Sequence, residues 1–275
     1  MARLTTIRYG RAAVLLITGA YFLIPLTCAI AFSIGAGVPG QRIGIDAYTG
    51  IFSAGGFADS LVLTLKLAAA TIALVLGLLV PALVTVRLAA PRLRTLVEIV
   101  CLLPLVVPAV ALVAGVSAVL RWGSDHFVGT PVFQALVALQ NPRFPLVLVL
   151  AYTLMALPLA YRTLDTGLAA IDLRLLVEAA LACRAPWHRT LFQVVLPNLR
   201  GALLNTAFLT LALVLGEYSV AAILGYQPFA VWILATSGSQ AQMSVAVSVL
   251  GLLVTWVLLL LIAAAGRARH PKETP

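Results

Sequence analysis

Carboxylates are rare in this chain, and one of them, Glu217, stands inside an apolar run. It is followed by Tyr218 in the stretch LGEYSV. Burying an acid among apolar residues is costly, so such a side chain usually contacts a cation or a second polar group. Two interpretations stay open. Either Glu217 lines a cavity and contacts a cationic solute, or it accepts hydrogen bonds between packed helices, as from Tyr218 or a nearby serine.

A second polar stretch, EAALACRAPWHRTLFQVVLP at residues 178–197, holds a Glu, two Arg and a His. Asp172 is placed to cap a helix that runs to about Arg184. Pro186 suits the first turn of a second helix, and Pro197 marks its end. The helical spacing predicts one apolar face, made by Leu175, Leu176, Ala179, Ala182 and Cys183, and one mixed face, made by Arg174, Glu178 and Leu181. One interpretation is an amphipathic hairpin that only covers a membrane surface.

The sequence shows no catalytic arrangement. We find no pair of nucleophile and base, no cluster of His and Cys, and no Gly-x4-Gly-Lys-Ser/Thr loop for phosphate. Cys28, Cys101 and Cys183 are widely spaced, which predicts small apolar side chains rather than a disulfide or a metal site. We therefore expect no enzyme activity, and no cofactor or metal held by this chain.

The rest of the chain has the composition of a polytopic membrane protein. Of its 275 residues, 62% are hydrophobic and 10% are charged, against about 25% charged residues in an average soluble domain. Six apolar segments are long enough to cross a bilayer core, which takes about 20 helical residues. These segments are 12–34, 61–86, 99–120, 144–161, 201–225 and 243–266. Pro104, Pro108 and Pro158 are expected to kink their helices.

The distribution of Lys and Arg orients these spans. With the N-terminus inside, fourteen of these cations lie on inner segments and three, Arg42, Arg121 and Arg143, lie in outer loops. We therefore predict that both termini lie in the cytoplasm and that the first span is retained rather than cleaved. The same excess accounts for the net charge of +9, so no nucleic-acid partner is needed to explain it.

The polar stretch resembles the EAA loop of ABC-importer permeases, the inner-membrane subunits of binding-protein-dependent transporters. In that family, Glu-Ala-Ala is followed by three residues, a Gly, nine residues, an aliphatic residue, one residue and Leu-Pro. The matching positions here are Glu178, Ala179, Ala180, Val194, Leu196 and Pro197. The family's Gly falls on Arg184. Because an Arg tolerates positive φ poorly, we expect a different turn at this point.

This resemblance implies an all-α integral membrane fold with six transmembrane helices in one permease domain, residues 1–275. A MetI-like five-helix core would span residues 60–265, and a cytoplasmic coupling loop would span 167–200. The implied partners are two ATPase subunits that hold the ATP, a second permease that we expect to be a different chain, and an extracytoplasmic solute-binding protein. The complex would lie in a bacterial plasma membrane, where closure of the ATPases would swing the permease from inward-facing to outward-facing.

The stretch LGEYSV is similar to the corresponding span of the polyamine, iron and thiamine branch of these permeases. The resemblance implies a polyamine such as spermidine or putrescine as substrate, with iron, thiamine or an aminophosphonate as other solutes. Glu217 and Tyr218 are then candidates for the translocation pathway. The alternative is an ion-coupled secondary transporter with Glu217 as its coupling site. Such carriers usually show an internal repeat, and none is visible here.

Several further residues carry weaker expectations. Trp122, Trp232 and Trp256 are predicted to be anchors at the membrane interface. Asp125 and His126 are expected to be solvated residues of an outer loop, with contact to a solute-binding protein as the alternative. The charge-free stretch 226–242 is predicted to be an outer loop.

Overall fold

The computed structural model describes residues 2–36 and 42–267. The chain forms two compact units. One takes the described residues of Met1–Ala58 and Trp232–Trp256, and the other takes those of Asp59–Val231 and Val257–Pro275. Every regular element in the described residues is helical, which confirms the all-α prediction. Arg269 and Lys272, two of the cations that orient the predicted spans, lie outside the described residues.

The described part of the chain holds fourteen α-helices. In chain order they are α1 (Ala2–Ser33), α2 (Asp46–Gly50), α3 (Phe57–Leu88), α4 (Arg94–Leu102), α5 (Ala109–His126), α6 (Pro131–Leu139), α7 (Leu146–Ala169), α8 (Leu173–Ala182), α9 (Trp187–Arg189), α10 (Leu196–Asn198), α11 (Arg200–Gly216), α12 (Ser219–Ile223), α13 (Phe229–Ser237) and α14 (Ala241–Arg267). A π-helical turn, Thr190–Val195, joins α9 to α10.

Three helices are long and apolar enough to cross a bilayer unbroken. They are Val14–Ser33 within α1, all of α3, and all of α7. Two bent pairs bring the number to five if each pair is one span, and Ala241–Val257 within α14 is a shorter apolar helix. The membrane class is therefore supported. The number of six spans and the side on which the termini lie stay predictions.

The third predicted span is not continuous. The helical segments Pro91–Leu105 and Ala109–His126 meet at an angle of 97°. Pro104 and Pro108 lie at the corner, and each removes a backbone N–H that a continuous helix would use. The two prolines, expected to kink the helix, turn it through a right angle instead. Pro158, by contrast, lies inside α7 without ending it.

The fifth predicted span is also interrupted. Helix α11 ends at Gly216, Glu217 has an extended backbone with ψ of 116°, and α12 begins at Ser219. Glu217 thus lies at a break between two helices and not inside one, as the apolar run 201–225 had suggested. On the other side of α11, the helical segment Trp187–Asn198 meets it at 75°.

The charge-free stretch 226–242 is not a simple loop, because it contains helix α13. Trp232 in this helix is buried, with 8% of its surface exposed. Its indole Nε1 donates a hydrogen bond of 3.0 Å to the Gly55 carbonyl oxygen, and its ring packs edge-on against Phe57 at 5.5 Å between ring centres. The prediction of an interface anchor is therefore wrong for Trp232, which holds its own unit together.

Two hydrophobic cores lie within the unit formed mainly by residues 59–231. Core 1 joins α3, α4 and α7 to α8 and to the chain entering α11; its buried members are Val75, Leu79, Val80, Leu83, Val84, Cys101, Ala156, Ala160, Tyr161, Leu164, Leu168, Leu173, Val177, Val195 and Leu199. Core 2 joins α3, α5 and α7 to α11 and α12; its members are Leu67, Ala68, Val113, Leu148, Val149, Ala151, Tyr152, Val214, Val220 and Ala221. Helices α3 and α7 both contribute to both cores, so these two helices are central to this unit.

Candidate functional site

Helix α8 begins at a capped end, as the sequence predicts. The Asp172 carboxylate accepts a hydrogen bond of 3.1 Å from the backbone N–H of Leu175, which satisfies one of the free N–H groups of the first turn. The helix buries Leu173, Val177 and Ala180. Leu173 and Val177 belong to core 1, so α8 is packed onto the body of the unit rather than lying free.

The predicted apolar face of α8 points away from this packing. On that face Leu175 is 61% exposed, and Ala179 is exposed as well. The predicted mixed face is also exposed, with Leu181 at 51% and Glu178 beside it. The only described contact of the Glu178 carboxylate is a loose ion pair of 4.0 Å with Arg174. An exposed apolar surface beside a charged group is typical of a protein contact site. We call the exposed residues Arg174, Leu175, Glu178, Ala179 and Leu181 the α8 outer face.

The turn after α8 differs from the expectation at Arg184. Arg184 has φ of 56°, and no other described residue except glycine has positive φ. Its N–H bonds the Leu181 carbonyl at 2.8 Å, and the Ala185 N–H bonds the Ala180 carbonyl at 3.1 Å. These are the two hydrogen bonds of a Schellman motif, in which the left-handed position is usually a glycine.

The expectation of a different turn at Arg184 is therefore wrong. The chain keeps the turn that a glycine would make and places an Arg in it. A left-handed backbone costs an L-residue roughly 1–2 kcal/mol. The two Schellman bonds hold the turn, and Pro186 biases the residue before it towards an extended conformation.

The second half of the polar stretch runs back to the body of the unit. Pro186 lies just before α9 and not inside its first turn. Val195 is fully buried in core 1, and Leu196 packs against that core, whereas Pro197 is exposed. Val194 is half-buried. The predicted site residues thus divide into an exposed group with Glu178, Ala179 and Arg184 and an inward group with Ala180 and Leu196.

A group of ion pairs that sequence reasoning missed lies beside this segment. Arg87, at the end of α3, bonds both the carboxylate of Asp165 in α7 and the Asp165 carbonyl oxygen, the latter at 2.7 Å. Arg94 of α4 approaches the same carboxylate at 3.5 Å. The pair Arg162–Glu98, at 3.2 Å, also joins α7 to α4. The sequence feature that could have predicted these ion pairs is the presence of charged residues at the ends of the apolar runs.

Close packing also joins α7 to α11. A Cβ placed on Gly167 would overlap the Cβ of Ala202. Small residues at such positions let two helix backbones approach each other, which is a common way to pack helices within a membrane. The cores, the ion pairs and this contact connect α8 to α3, α4, α7 and α11 within one unit.

Glu217 is buried, with 8% of its surface exposed. The backbone N–H of Val220 donates to its carboxylate, at 2.9 Å to Oε1 and 3.2 Å to Oε2. The Tyr152 hydroxyl lies near the same carboxylate but forms no hydrogen bond of standard geometry among the described residues. The side chain of Tyr218, in contrast, is 41% exposed. Glu217 therefore caps the free backbone at the helix break and leaves a buried hydroxyl beside a buried acid.

Polar groups also meet near the end of α5. A cavity of about 260 Å³ is lined by Ser117, Arg121, Ser124, Asp125 and Gln140, among others. The Tyr226 hydroxyl donates to the Gln140 carbonyl oxygen at 3.1 Å, and burial raises the pKa of this phenol, so it stays protonated. The ring of His126 stacks on that of Trp122, with 4.9 Å between centres.

No group of three or more His, Cys, Asp or Glu side chains among the described residues is placed to hold a metal ion. The arrangement instead defines a class of protein: a membrane-embedded helical unit with broken spans, a buried acid at one break, and an exposed helix fixed to its core. Such a unit can bind partners and move, and its described residues present no group of side chains arranged for bond-breaking chemistry.

Comparison with known proteins gives the family. The chain belongs to the binding-protein-dependent transport system inner membrane components, whose family model matches residues 74–273. It is therefore the permease subunit of an ABC importer and a non-catalytic membrane component, as predicted. No curated protein matches the sequence.

The fold is also found in a solved structure. The chain is similar to a chain in the crystal structure of a bacterial ABC transporter involved in the import of the acidic polysaccharide alginate. The TM-score is 0.66 and the sequence identity is 19%, and the match covers 98% of this chain and 100% of the other. At this identity the likeness shows a shared fold. The secondary-transporter alternative is not favoured by either comparison.

Proposed function

We propose that this chain forms part of the translocation pathway of its importer and that residues 167–200 couple it to the ATPases. The observation that carries the proposal is the α8 outer face, an exposed apolar and charged surface on a helix whose opposite side is buried in core 1. A partner that binds Glu178 and its neighbours pushes on a helix that cannot move alone.

The packing supports rigid transmission of such a push. Leu173 and Val177 of α8 share core 1 with Leu164 and Leu168 of α7 and with Leu83 of α3. Packed cores move as rigid bodies because they deform little. Closure of two ATPases would therefore shift α7 and α3 together with α8 and change the access to the pathway.

The substrate proposal rests on Glu217. A buried acid at a helix break is an anionic group that a cationic solute can approach, and the exposed Tyr218 beside it offers an aromatic face for a cation. With the resemblance of LGEYSV, this supports a polyamine such as spermidine or putrescine. Iron, thiamine and aminophosphonates are the other solutes of that resemblance. Alginate, which the structurally similar transporter helps to import, is an acidic polysaccharide and belongs to the opposite charge class.

The proposed assembly follows the importer scheme. Two ATPases bind on the cytoplasmic side, where the α8 outer face lies, and they hold all of the ATP. A second permease, a different chain, completes the pathway, and a solute-binding protein docks on the extracytoplasmic side. Both termini lie in the cytoplasm of a bacterial cell, and the EAA loop is the coupling element.

The experiment is affinity purification of the tagged chain in mild detergent. An ATPase subunit is expected to co-purify with the native chain and to be lost from Glu178→Lys, because the variant replaces the carboxylate that the partner is expected to contact. Asp125→Lys is the matched control, since it changes an exposed carboxylate elsewhere in the chain and should retain the ATPase. Retention of the ATPase by Glu178→Lys would refute the docking role.

A further inference from the structure

Arg184 combines a strained backbone with a side chain that nothing in the described part of the chain engages. Its φ of 56° lies in the left-handed region, which disfavours any residue with a Cβ. The guanidinium forms no ion pair and no hydrogen bond among the described residues, and the side chain is exposed. The nearby carboxylate of Glu178 pairs with Arg174 instead. No described contact of the Arg184 side chain adds to the backbone bonds that hold this turn.

The turn itself does not require an Arg. Both Schellman hydrogen bonds, Arg184 N–H to Leu181 and Ala185 N–H to Ala180, use backbone atoms only. A glycine would make the same bonds without strain. Strained backbone conformations cluster at functional sites. The backbone turn therefore does not explain why this position holds an arginine side chain.

The surface around Arg184 is basic and partly apolar. Trp187 is 50% exposed, and His188 and Arg189 are exposed beside it. Over residues 172–189, three exposed arginines, Arg174, Arg184 and Arg189, outnumber the two exposed carboxylates of Asp172 and Glu178, and both carboxylates lie in the part before the turn. A partner surface complementary to the basic end of this segment, residues 184–189, is acidic.

We propose that Arg184 is a binding residue for the ATPase and inserts its guanidinium into an acidic groove of that subunit, where it pairs with a carboxylate. The planar guanidinium can make two parallel hydrogen bonds to one carboxylate, which a lysine cannot do. The left-handed backbone aims the side chain outward at the tip of the turn. This inference rests on the proposed coupling function and adds to it the charge of the partner's groove.

The test compares Arg184→Gly, Arg184→Lys and the native chain, each in nanodiscs of neutral phosphatidylcholine. The dissociation constant of the co-purifying ATPase subunit is measured at low and at moderate salt, and the thermal unfolding midpoint is measured on the permease without ATPase. Arg143→Gln is the matched control, because it removes an exposed arginine from a position far along the chain from the docking surface.

Arg184→Gly is expected to weaken ATPase binding about tenfold or more, as the loss of a charge-assisted pair does, and to reduce the salt dependence of the binding. Arg184→Lys should fall between Arg184→Gly and the native chain. The unfolding midpoint of Arg184→Gly should rise at the same time, because the strain is gone. Higher stability together with weaker binding separates a binding role from a structural one.

Two results would overturn the proposal. One is native ATPase affinity and native salt dependence in Arg184→Gly. The other is an effect of Arg184→Gly that appears only in nanodiscs of anionic phosphatidylglycerol, which would assign the guanidinium to lipid headgroups. In both cases, loss of the ATPase from Glu178→Lys would leave the coupling function intact. If the native chain binds no ATPase at all, both proposals fail together.

Discussion

Glu217 has a structural role that is separate from the transport role we propose for it. It accepts the Val220 N–H through both oxygens, which satisfies a backbone group left free by the break between α11 and α12. In a low-dielectric interior an unsatisfied N–H is costly, so the acid stabilises the break whatever else it contacts. Any test of a transport role has to keep this hydrogen bond and remove only the charge.

Glu217→Gln meets that requirement, because the amide oxygen can still accept from Val220. We expect an unchanged thermal unfolding midpoint and uptake of a polyamine reduced by tenfold or more in proteoliposomes that contain the complete importer, on the order of one lost charge contact. Uptake is measured with labelled spermidine and the cognate binding protein. Tyr152→Phe serves as a neighbouring control that removes a hydroxyl but no charge. Native spermidine uptake by Glu217→Gln would contradict the pathway role.

The sequence predicted single residues best where one local bond decides the structure. Asp172 was identified as a cap because its side chain reaches the backbone two or three residues ahead in any helix that starts there. The φ of Arg184 was missed, because residue preference was weighed without the two backbone bonds and the following proline that fix the turn. The Trp232 anchor failed because its hydrogen bond goes to Gly55, far away in the chain.

The apolar runs predicted the positions of the long helices well, but they did not predict where a helix is broken. The runs of α3 and α7 gave long helices, since nothing inside them interrupts the backbone except a tolerated proline. The runs around Pro104 and Glu217 gave broken ones. Apolar periodicity predicts that a segment prefers lipid or a protein core. It does not predict whether neighbouring groups can form hydrogen bonds with the backbone groups that a helix break leaves free. The face of α8 that is buried was also missed, because the predicted apolar face is exposed and the buried side is made by Leu173, Val177 and Ala180.

Asp165 is the point where three elements are held together, so its charge should matter more than that of the other acids nearby. Asp165→Asn leaves the partly buried Arg87 without its counter-ion, and we expect a loss of about 1.5–3 kcal/mol in stability. Transport should fall more than ATP hydrolysis, because α3 and α4 no longer move firmly with α7. The unfolding midpoint and the ATP hydrolysed per solute imported are measured.

Glu98→Gln is the control for this prediction. Its ion pair with Arg162 joins the same two helices, but the Arg162 side chain is 62% exposed, and exposed pairs contribute less than about 1 kcal/mol. If both variants lower the midpoint and the coupling equally, the special position of Asp165 in the helix arrangement is refuted.

At the scale of the whole molecule, the orientation of the chain in the membrane is the prediction with the widest consequences. Cys183 is an exposed free thiol directly after α8, within the proposed coupling loop. In a Cys28→Ala background, a membrane-impermeant maleimide should label Cys183 in inverted vesicles and not in intact spheroplasts. Ser239→Cys, made together with Cys183→Ala, should show the reverse pattern. Labelling of Cys183 from the outside would contradict the proposed topology, because it would place the α8 outer face on the side of the membrane opposite the ATPase.

Helix α1 differs from the other long helices in a way that bears on biogenesis. The most apolar window within Val14–Ser33 is 0% buried by the rest of the chain, whereas 44% of the window in α3 and 56% of that in α7 are buried. A continuous helix that satisfies its own backbone is stable in lipid without help. The broken segments around Pro108 and Glu217 need neighbours before they can stay in lipid. We therefore expect α1 to be stable in lipid by itself, whereas the bent pairs need the surface of α7 to stay there.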